Sequence, residues 1–324
     1  MWIDEFATFM SGETISTGEI EQAMTLKDGH LPDRIYKFRE VSDYSLSNFR
    51  DDTVWLCSTD NYNDPFECSA KIGFERLLAA PNSAAAKIML ASMKPHLSDE
   101  ELLTLRSADD PLRATTYAML GKDVSITPEE RDALAGMLIA ASDKIQSEMV
   151  SALNAKMQKC TKVCSFGSRN DSVVMWGHYA KSHSGFCLEY DVRSWPSGDM
   201  RRRILHPVIY SSEVFDSTKY IVKAMAGGMF NNLFGVMAAI RKAKEWSYEE
   251  EWRFVIPLGE SVADTNYPMR IPRALYIGAR TAPTHREQLI EIAASKGIPA
   301  YQMRLSTTEF KMTFDSISTP VGAK

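Results

Sequence analysis

The order of strand-like and helical segments constrains this fold more than any other feature of the sequence. Residues 35–39 alternate apolar and polar side chains, as a half-buried strand does, and residues 54–58 form a second strand-like run. A helical pattern follows over about residues 74–160, and several shorter strand-like runs come after it. Strict alternation of strands and helices is absent, as are the glycine-rich nucleotide motifs, which disfavours a Rossmann or P-loop fold. The order predicts an α+β fold, with a mixed, curved β-sheet core and a helical insertion.

The same pattern divides the chain into three parts. Residues 1–34 form an N-terminal lead-in without strong periodicity. Residues 35–310 are predicted to form a single α+β domain that contains the helical insertion. Residues 311–324 are left as a C-terminal tail.

Two helices are predicted in more detail. Thr127 and Glu130 have the spacing of a capping box, and apolar residues, several of them methionines, then recur every three or four positions. We expect this methionine-rich face to pack into the core. A second helix is predicted from Thr218 to Lys244, with a weak point at Gly227-Gly228.

The composition of the chain limits the kinds of partner that it is expected to bind. Hydrophobic residues make up 44% and charged residues 24% of the chain, which is typical of a globular protein. The net charge of -5 gives no overall basic surface for nucleic acid. Five scattered cysteines, the lack of a signal-peptide pattern and the lack of a long apolar stretch predict a cytoplasmic protein with no membrane partner. Nothing in the sequence indicates an oligomeric state.

The first candidate site lies on the strand at residues 35–39. Alternation puts Lys37 and Arg39 on one face and Tyr36 with Phe38 on the other. The planar guanidinium of Arg39 suits a phosphate or a carboxylate. An edge strand with a solvated cationic face is the alternative interpretation.

The second candidate is the turn Asn63-Asp64-Pro65-Phe66-Glu67. Asp64 can bond its own backbone and Pro65 fixes φ, so a structural turn anchored by Phe66 explains most of it. Glu67 is not explained by the turn.

The third candidate is an aromatic segment. If residues 173–179 are helical, Trp176 and Tyr179 share a face and His178 points elsewhere. These rings form either a wall for a flat ligand or part of the core. His178 and His183 are five apart, which is not the spacing of a helical zinc pair.

The fourth candidate is the run that leads from Tyr248 into an apolar strand. If the strand begins near Glu251, then Glu249, Glu251 and Arg253 share one face. Two carboxylates there can act as acid and base or stabilise a developing cation. The alternative is a charged strand entry in which Arg253 is the ion-pair partner.

Taken together, these motifs resemble one known family. Four motifs occur in order: Tyr-Lys-Phe-Arg, Asn-Asp-Pro-Phe-Glu, Met-Trp-x-His-Tyr-Ala-x-x-His-x-Gly-Phe-Cys and Lys-x-x-x-Trp-x-Tyr-Glu-x-Glu-Trp-Arg. They are similar to those of the bacterial and phage family called domain of unknown function 2971, over roughly residues 35–310. Lys242 is the lysine of the last motif. The family name itself implies no activity.

The layout also resembles the ADP-ribosyltransferase superfamily, in which a glutamate opens a late strand. By that resemblance Glu251 would stabilise the oxocarbenium ion as nicotinamide leaves NAD, and Glu249 would orient the acceptor. Tyr179 or Trp176 would stack on nicotinamide, and Arg39 would hold the NAD phosphates. The residues that would line the NAD site are Tyr36, Arg39, Asn63, Asp64, Glu67, Trp176, His178, Tyr179, Lys242 and Arg253. The chain lacks a clean His-Tyr-Glu or Arg-Ser-Glu set.

These residues are compatible with three functions. The leading hypothesis is an NAD-consuming transferase that modifies a macromolecular acceptor, protein or nucleic acid, as a toxin or phage-defence effector. The second is a metal-dependent nuclease or hydrolase using Asp64, Glu67, Asp171 and Glu251 as oxygen ligands. The third is a ligand-sensing module without catalysis.

Overall fold

The computed structural model of the chain describes residues 1–79 and 97–317. Residues 80–96 of the predicted insertion and residues 318–324 of the predicted tail lie outside the described residues. Within the described ranges, no helix has both the length and the apolarity that a transmembrane span requires.

Helices occur along the described chain and make up most of the described part of the predicted insertion. In chain order they are α1 (Trp2–Met10), α2 (Thr17–Gly29), α3 (Asp43–Arg50), α4 (Phe74–Ala79), α5 (Asp99–Arg106), α6 (Pro111–Leu120), α7 (Pro128–Cys160), α8 (Val173–Tyr179), α9 (Met200–Ile204), α10 (Thr218–Met225), α11 (Phe234–Ala239) and α12 (Pro283–Ser295). The Ser42 side chain caps α3 and the Thr127 side chain caps α7, each in a capping box. The capping box predicted for α7 is thereby confirmed.

The strands are β1 (Arg34–Arg39), β2 (Thr53–Ser58), β3 (Ala70–Lys71), β4 (Thr161–Gly167), β5 (Phe186–Asp191), β6 (Leu205–Pro207), β7 (Ile209–Ser211), β8 (Phe215–Asp216), β9 (Arg241–Ala243), β10 (Glu251–Pro257), β11 (Thr265–Pro268), β12 (Ala274–Ile277), β13 (Ala300–Leu305) and β14 (Met312–Ser316). The main sheet runs in the order β11-β2-β4-β1-β5-β12-β13-β14, with β10 beside β4 and β6 beside β10. Strands β12 and β13 are parallel and β1 and β5 antiparallel, so the predicted mixed sheet is confirmed. It is open and uncurled rather than curved as predicted.

Apolar side chains cover both faces of this sheet. One face packs against α3 and α12 through Phe49, Phe166, Phe254 and Leu289. The opposite face carries two further clusters. One packs against α1 and α11 and contains Phe6, Met237 and Val255, and the other packs against α8 and contains Phe38, Trp176 and Tyr276. Polar side chains lie on this opposite face between the two clusters, and they form the candidate site.

Three predicted features differ from the structure. The helix expected from Thr218 to Lys244 stops at Met225; Gly227 has a positive φ of 71° and the chain later enters β9. The methionine-rich face of α7 is largely exposed, with Met137 at 62% and Met149 at 52%. The sheet also continues past the predicted boundary at residue 310, because Met312 is buried and Phe314 packs edge-on against Tyr276 and Tyr301.

Candidate functional site

A fork in the main sheet creates the site. Strand β4 pairs with β1 only at Gly167 and with β2 only at Val163 and Lys162, so the two partner strands diverge along the same edge. Between these points the Lys37 ammonium donates to the carbonyl of Ser165 at 2.8 Å. A cavity of about 430 Å³, the inner cavity, occupies the fork. Its lining includes Tyr36, Lys37, Phe38, Arg39, Trp55, Cys57, Asn63, His178, Tyr179, Lys242, Glu249 and Glu251. The fork lets side chains from both faces of β1 reach one cavity.

A left-handed residue brings two glutamates together at the cavity. A 3-10 turn ends at Glu249, Glu250 has φ 44° and ψ 53°, and β10 starts at Glu251. Glu249 and Glu251 are buried, whereas Glu250 faces outward and accepts from the Ser168 hydroxyl at 2.7 Å. The expected grouping of Glu249, Glu251 and Arg253 is therefore present. It is produced by a kink before the strand rather than by continuous alternation.

Lys242 lies at the centre of three carboxylates. From β9, its Nζ donates to Glu249 Oε2 at 2.6 Å and to Glu251 Oε2 at 3.1 Å, and it lies 3.5 Å from Glu67 Oε1. It also stands 4.8 Å from the ring centroid of Trp246. The sequence motif predicted a lysine here, but not its contact with Glu67.

Arg253 is entirely buried beneath the cavity. Its guanidinium donates to both oxygens of Glu67 at 2.6 and 2.8 Å and to both oxygens of Glu251 at 2.9 and 3.0 Å. Nη1 also donates to the carbonyl of Ala239 at 2.6 Å. All five N–H groups of the side chain are thus used by protein acceptors. Arg253 holds the two glutamates and does not face a ligand, contrary to its predicted place in the cofactor site.

The carboxylate cluster, defined as Glu67, Glu249, Glu251, Lys242 and Arg253, has unequal charges. Three carboxylates face two cations, so the fully ionised cluster carries a net charge of 2 − 3 = −1. Burial favours a higher pKa for Glu251, but Arg253 and Lys242 beside it lower the pKa to about 2. Burial and the Glu251 carboxylate raise the pKa of Glu249. One glutamate therefore stays ionised at neutral pH, and the other has an increased affinity for a proton.

Tyr179 completes the proton-binding side of the cluster. It is the last residue of α8, and its hydroxyl donates to Glu249 Oε1 at 2.5 Å. Burial and the Glu249 carboxylate raise the pKa of Tyr179, so its hydroxyl keeps its proton. Glu249 thus accepts one hydrogen bond on each oxygen and retains further lone pairs toward the cavity.

Trp176 and His178, the other aromatic residues of α8, have different surroundings from Tyr179. Trp176 is fully buried, donates from Nε1 to the Asn170 carbonyl at 2.6 Å and packs edge-on against Phe38. It belongs to the core, so the proposed stacking of Trp176 on a ligand is not supported. His178 is exposed and its Nδ1 lies 3.4 Å from the Tyr248 hydroxyl, at the rim of the site.

Tyr36 forms one wall of the inner cavity. It lies edge-on to Tyr276, with 6.3 Å between the ring centroids. Burial and the neighbouring Glu189 carboxylate raise its pKa, so its hydroxyl also remains protonated.

A second, larger depression adjoins the inner cavity. This outer cavity, of about 960 Å³, shares with the inner one the residues Phe38, Arg39, Trp55, His178 and Tyr179. Arg39 lies at the junction and donates to Asn48 Oδ1 at 3.2 Å. Lys181 also lines the outer cavity, with its Nζ 3.4 Å from Glu40 Oε2.

Lys181 was not predicted from the sequence. It begins a run of three consecutive left-handed residues, Lys181, Ser182 and His183, with φ of 47°, 54° and 69°. Such conformations are rare for residues other than glycine, and no local pattern in the sequence indicates them. The one available signal was the position of Lys181 two residues after Tyr179, inside the third motif.

The turn after β2 contributes one residue to the cluster. Glu67 is buried against Arg253, whereas Asn63 is exposed at the cavity wall. Asp64 is buried and accepts from the amide of Phe66 at 2.9 Å, which is a structural turn contact. Phe66 is 63% exposed, so it does not anchor the turn as predicted.

The four carboxylates of the metal-hydrolase hypothesis do not share a site. Asp171 pairs with Arg169 at 2.6 Å on the surface, and the Asp64 carboxylate accepts from the backbone of its own turn. Glu67 and Glu251 are both bound by Arg253. Within residues 1–79 and 97–317, no group of three or more His, Cys, Asp or Glu side chains is arranged to hold a metal ion.

Comparison with known proteins identifies the central part of this site. No curated protein and no solved structure matches the chain significantly. A family model described as "Protein of unknown function (DUF2971)" matches residues 175–254. That range contains Tyr179, Lys242, Glu249, Glu251 and Arg253, and it confirms the family expected from the motifs. The segment that builds most of the carboxylate cluster is therefore the part of the chain that matches the family DUF2971.

Proposed function

We propose that the chain is an NAD-consuming enzyme of ADP-ribosyltransferase type that modifies a macromolecular acceptor. The observation that supports this most is the buried, net negative carboxylate cluster at the inner cavity. Cleavage of the bond between nicotinamide and ribose leaves positive charge on the ribose. A fixed negative site stabilises such a charge more than water does, because it needs no reorganisation.

In this proposal the two glutamates have different tasks. Glu251, whose pKa is about 2, supplies permanent negative charge near the ribose. Glu249, whose pKa is raised, acts as the base for the acceptor. Two carboxyl groups whose pKa values are pushed apart are typical of acid–base sites.

The transfer step breaks one bond at the ribose carbon and forms another. The glycosidic bond breaks and nicotinamide leaves with the electron pair of that bond as a neutral molecule. The acceptor heteroatom forms a bond to the same ribose carbon, and its proton passes to Glu249. Lys242 and Tyr179 hold Glu249 in place through hydrogen bonds of 2.6 and 2.5 Å.

The two cavities suggest how NAD would lie. The nicotinamide riboside half would occupy the inner cavity, between Tyr36 and Tyr179, close to Glu249. The remainder would extend into the outer cavity, where Arg39 and Lys181 can face the phosphates. Trp55, 41% exposed and shared by both cavities, offers a further ring surface.

We also propose that the chain acts in the cytoplasm, as a toxin or phage-defence effector. NAD is available in the cytoplasm, which is where the sequence predicted the chain to act. Modification of a macromolecule there is the activity of a toxin or phage-defence effector, as the resemblance implied.

The test compares Glu249→Gln and Glu251→Gln with Glu250→Gln, which changes the adjacent exposed glutamate. Nicotinamide release from NAD and calorimetric binding of NAD would be measured for each variant, with thermal melting as a check of folding. We expect Glu249→Gln and Glu251→Gln to bind NAD but to lose at least about 100-fold in rate. Glu250→Gln should stay close to wild type. A wild type that binds no NAD at millimolar concentration, or a Glu249→Gln variant with an unchanged rate, would refute the proposal.

A ligand-sensing module remains a second candidate, because both oxygens of Glu251 are already bonded by Arg253 and Lys242. A carboxylate fixed in this way can shape a binding pocket without taking part in a reaction. Binding of NAD by the wild type and all three variants, with no nicotinamide release from any of them, would favour this function.

A further inference from the structure

The turn that carries Glu67 is held from outside by the long helix of the predicted insertion. Gln158 of α7 donates from Nε2 to the carbonyl of Glu67 at 2.9 Å. Asn154, one helical turn earlier, accepts through Oδ1 from the amide of Ala70 at 2.9 Å. The two side chains lie on the same face of α7 because they are four residues apart. Helix α7 therefore binds the Glu67 turn on both sides of Cys68.

This turn is strained where it is bound. Cys68 is fully buried and has a φ of 52°, in the left-handed region that non-glycine residues rarely adopt. A conformation of this kind is unfavourable by itself and persists only where surrounding contacts enforce it. Two hydrogen bonds from α7 to the neighbouring residues are contacts of that kind.

The position of Glu67 determines the charges around the catalytic glutamates. Both oxygens of Glu67 accept from Arg253, and Lys242 lies 3.5 Å from one of them. The same two cations bind Glu251, and Lys242 also binds Glu249. If Glu67 moves away, one negative charge leaves the cluster and both cations act more strongly on the two remaining carboxylates.

We propose that Asn154 and Gln158 are positioning residues that set the charge of the carboxylate cluster by holding Glu67 against Arg253. This gives the helical segment a role in the site although neither residue lines the inner cavity. The catalytic meaning of this role rests on the function proposed above, whereas the effect on Glu249 does not.

A merely structural contact and a charge-setting contact differ in what they change. Loss of a structural contact lowers stability and leaves the proton affinity of a surviving carboxyl unaltered. Glu67 and Glu249 both contact the Lys242 ammonium, at 3.5 and 2.6 Å. Loss of Glu67 from the cluster therefore removes a like charge close to Glu249 and leaves Lys242 to act more strongly on it, so the pKa of Glu249 moves down from its raised value. The direct comparison is Glu67→Gln, which removes that charge and keeps the side-chain shape.

The experiment is a carbon-13 NMR titration of the Glu249 carboxyl in the ligand-free protein, with the signal assigned by its loss in Glu249→Gln. The test variants are Gln158→Met, Asn154→Leu and the double variant, which remove the hydrogen bonds at similar volume. Gln146→Met is the matched control, because Gln146 lies on the same helix and, among the described residues, its side chain donates to Ser142 of that helix. Asn154→Gln keeps a neutral carbonyl acceptor without adding a charge and serves as the rescue.

We expect the midpoint of Glu249 to shift to lower pH in the double variant, in the same direction as in Glu67→Gln. The control and the rescue should titrate like wild type. Faster hydrogen exchange of the Ala70 amide would show that the contact was broken. A Glu249 midpoint that stays unchanged in the double variant overturns the inference. The titration needs no NAD, so a failure of the proposed function, seen as no nicotinamide release by wild type, is distinguished from a failure of this one.

Discussion

Among single residues, Arg253 is the one whose loss the structure makes most costly. It is fully buried and satisfies both oxygens of Glu67 and Glu251. Removing one partner of a buried ionic network leaves uncompensated charge, which costs about 3–5 kcal/mol. We expect Arg253→Met to lower the free energy of unfolding by that amount, measured by chemical denaturation.

The control for this prediction is Arg270→Met. Arg270 pairs with Asp199 at 2.8 Å but its side chain is 43% exposed. The Asp199 carboxylate is buried, but it keeps its ion pair with Arg201 at 2.9 Å when Arg270 is lost, so no charge is left without a partner. An ion pair to an exposed arginine contributes at most about 1 kcal/mol, and the control should therefore lose little stability. Equal losses in the two variants would contradict the assignment of Arg253 as the buried clamp.

For single residues, the sequence predicted which side chains share one face of an element better than it predicted which side chains contact each other. Local alternation was enough to group Glu249, Glu251 and Arg253, and the motif brought in Lys242. It could not reveal that Arg253 pairs with Glu67, which is 186 residues away. Trp176 was misjudged for a related reason, because helical spacing shows which residues share a face but not whether that face meets a cavity or the core.

At the scale of elements, the first two strands were predicted well. Strands β1 and β2 lie where the strand-like runs at residues 35–39 and 54–58 indicated. The helix expected from Thr218 to Lys244 failed because the apolar residues after Gly228 continue a helical pattern, although the chain there forms only the short α11 and then β9. Strand β9 exists through its pairing with β7, a contact between distant segments that no local pattern shows.

Helix α7 allows a test of whether apolar residues at helical spacing contribute to stability when they are exposed. Met137 and Met149 belong to its apolar face but are 62% and 52% exposed, whereas Met157 is 7% exposed. We therefore expect Met137→Lys and Met149→Lys each to change the free energy of unfolding by less than about 0.5 kcal/mol. Met157→Lys should lower it by more than about 2 kcal/mol, because it buries a charge without a partner. Large losses in the first two variants, measured by urea denaturation, would mean that this face is covered in solution.

At the scale of the whole molecule, the site exists because the sheet forks. Strand patterns along the chain predict that a mixed sheet will form, but they do not specify that β1 and β2 share one edge of β4. Pairing of that kind depends on register between distant segments. The fork also explains why Arg39 and Glu251 line one cavity although they lie on opposite faces of the sheet.

The carboxylate cluster should also shape the pH dependence of global stability. Glu251 has a folded pKa of about 2, below its ordinary value of 4.5, so its contribution is present above pH 4.5 and is lost as the pH falls toward 2. Glu249 has a raised folded pKa, so the folded state binds its proton more tightly than the unfolded state. Its ionisation therefore lowers stability as the pH rises from 4.5 through the raised value.

Glu249→Gln should remove only the second of these effects. We expect wild type and variant to have similar stability near pH 4, and the variant to become the more stable of the two as the pH rises, measured by urea denaturation at constant ionic strength. Other titrating groups, such as the buried His206 with its lowered pKa, contribute equally to both proteins and cancel in the difference. A stability difference that does not grow with pH would mean that ionisation of Glu249 does not destabilise the folded state. The net negative charge of the cluster would then neither lower stability nor support the proposed reaction.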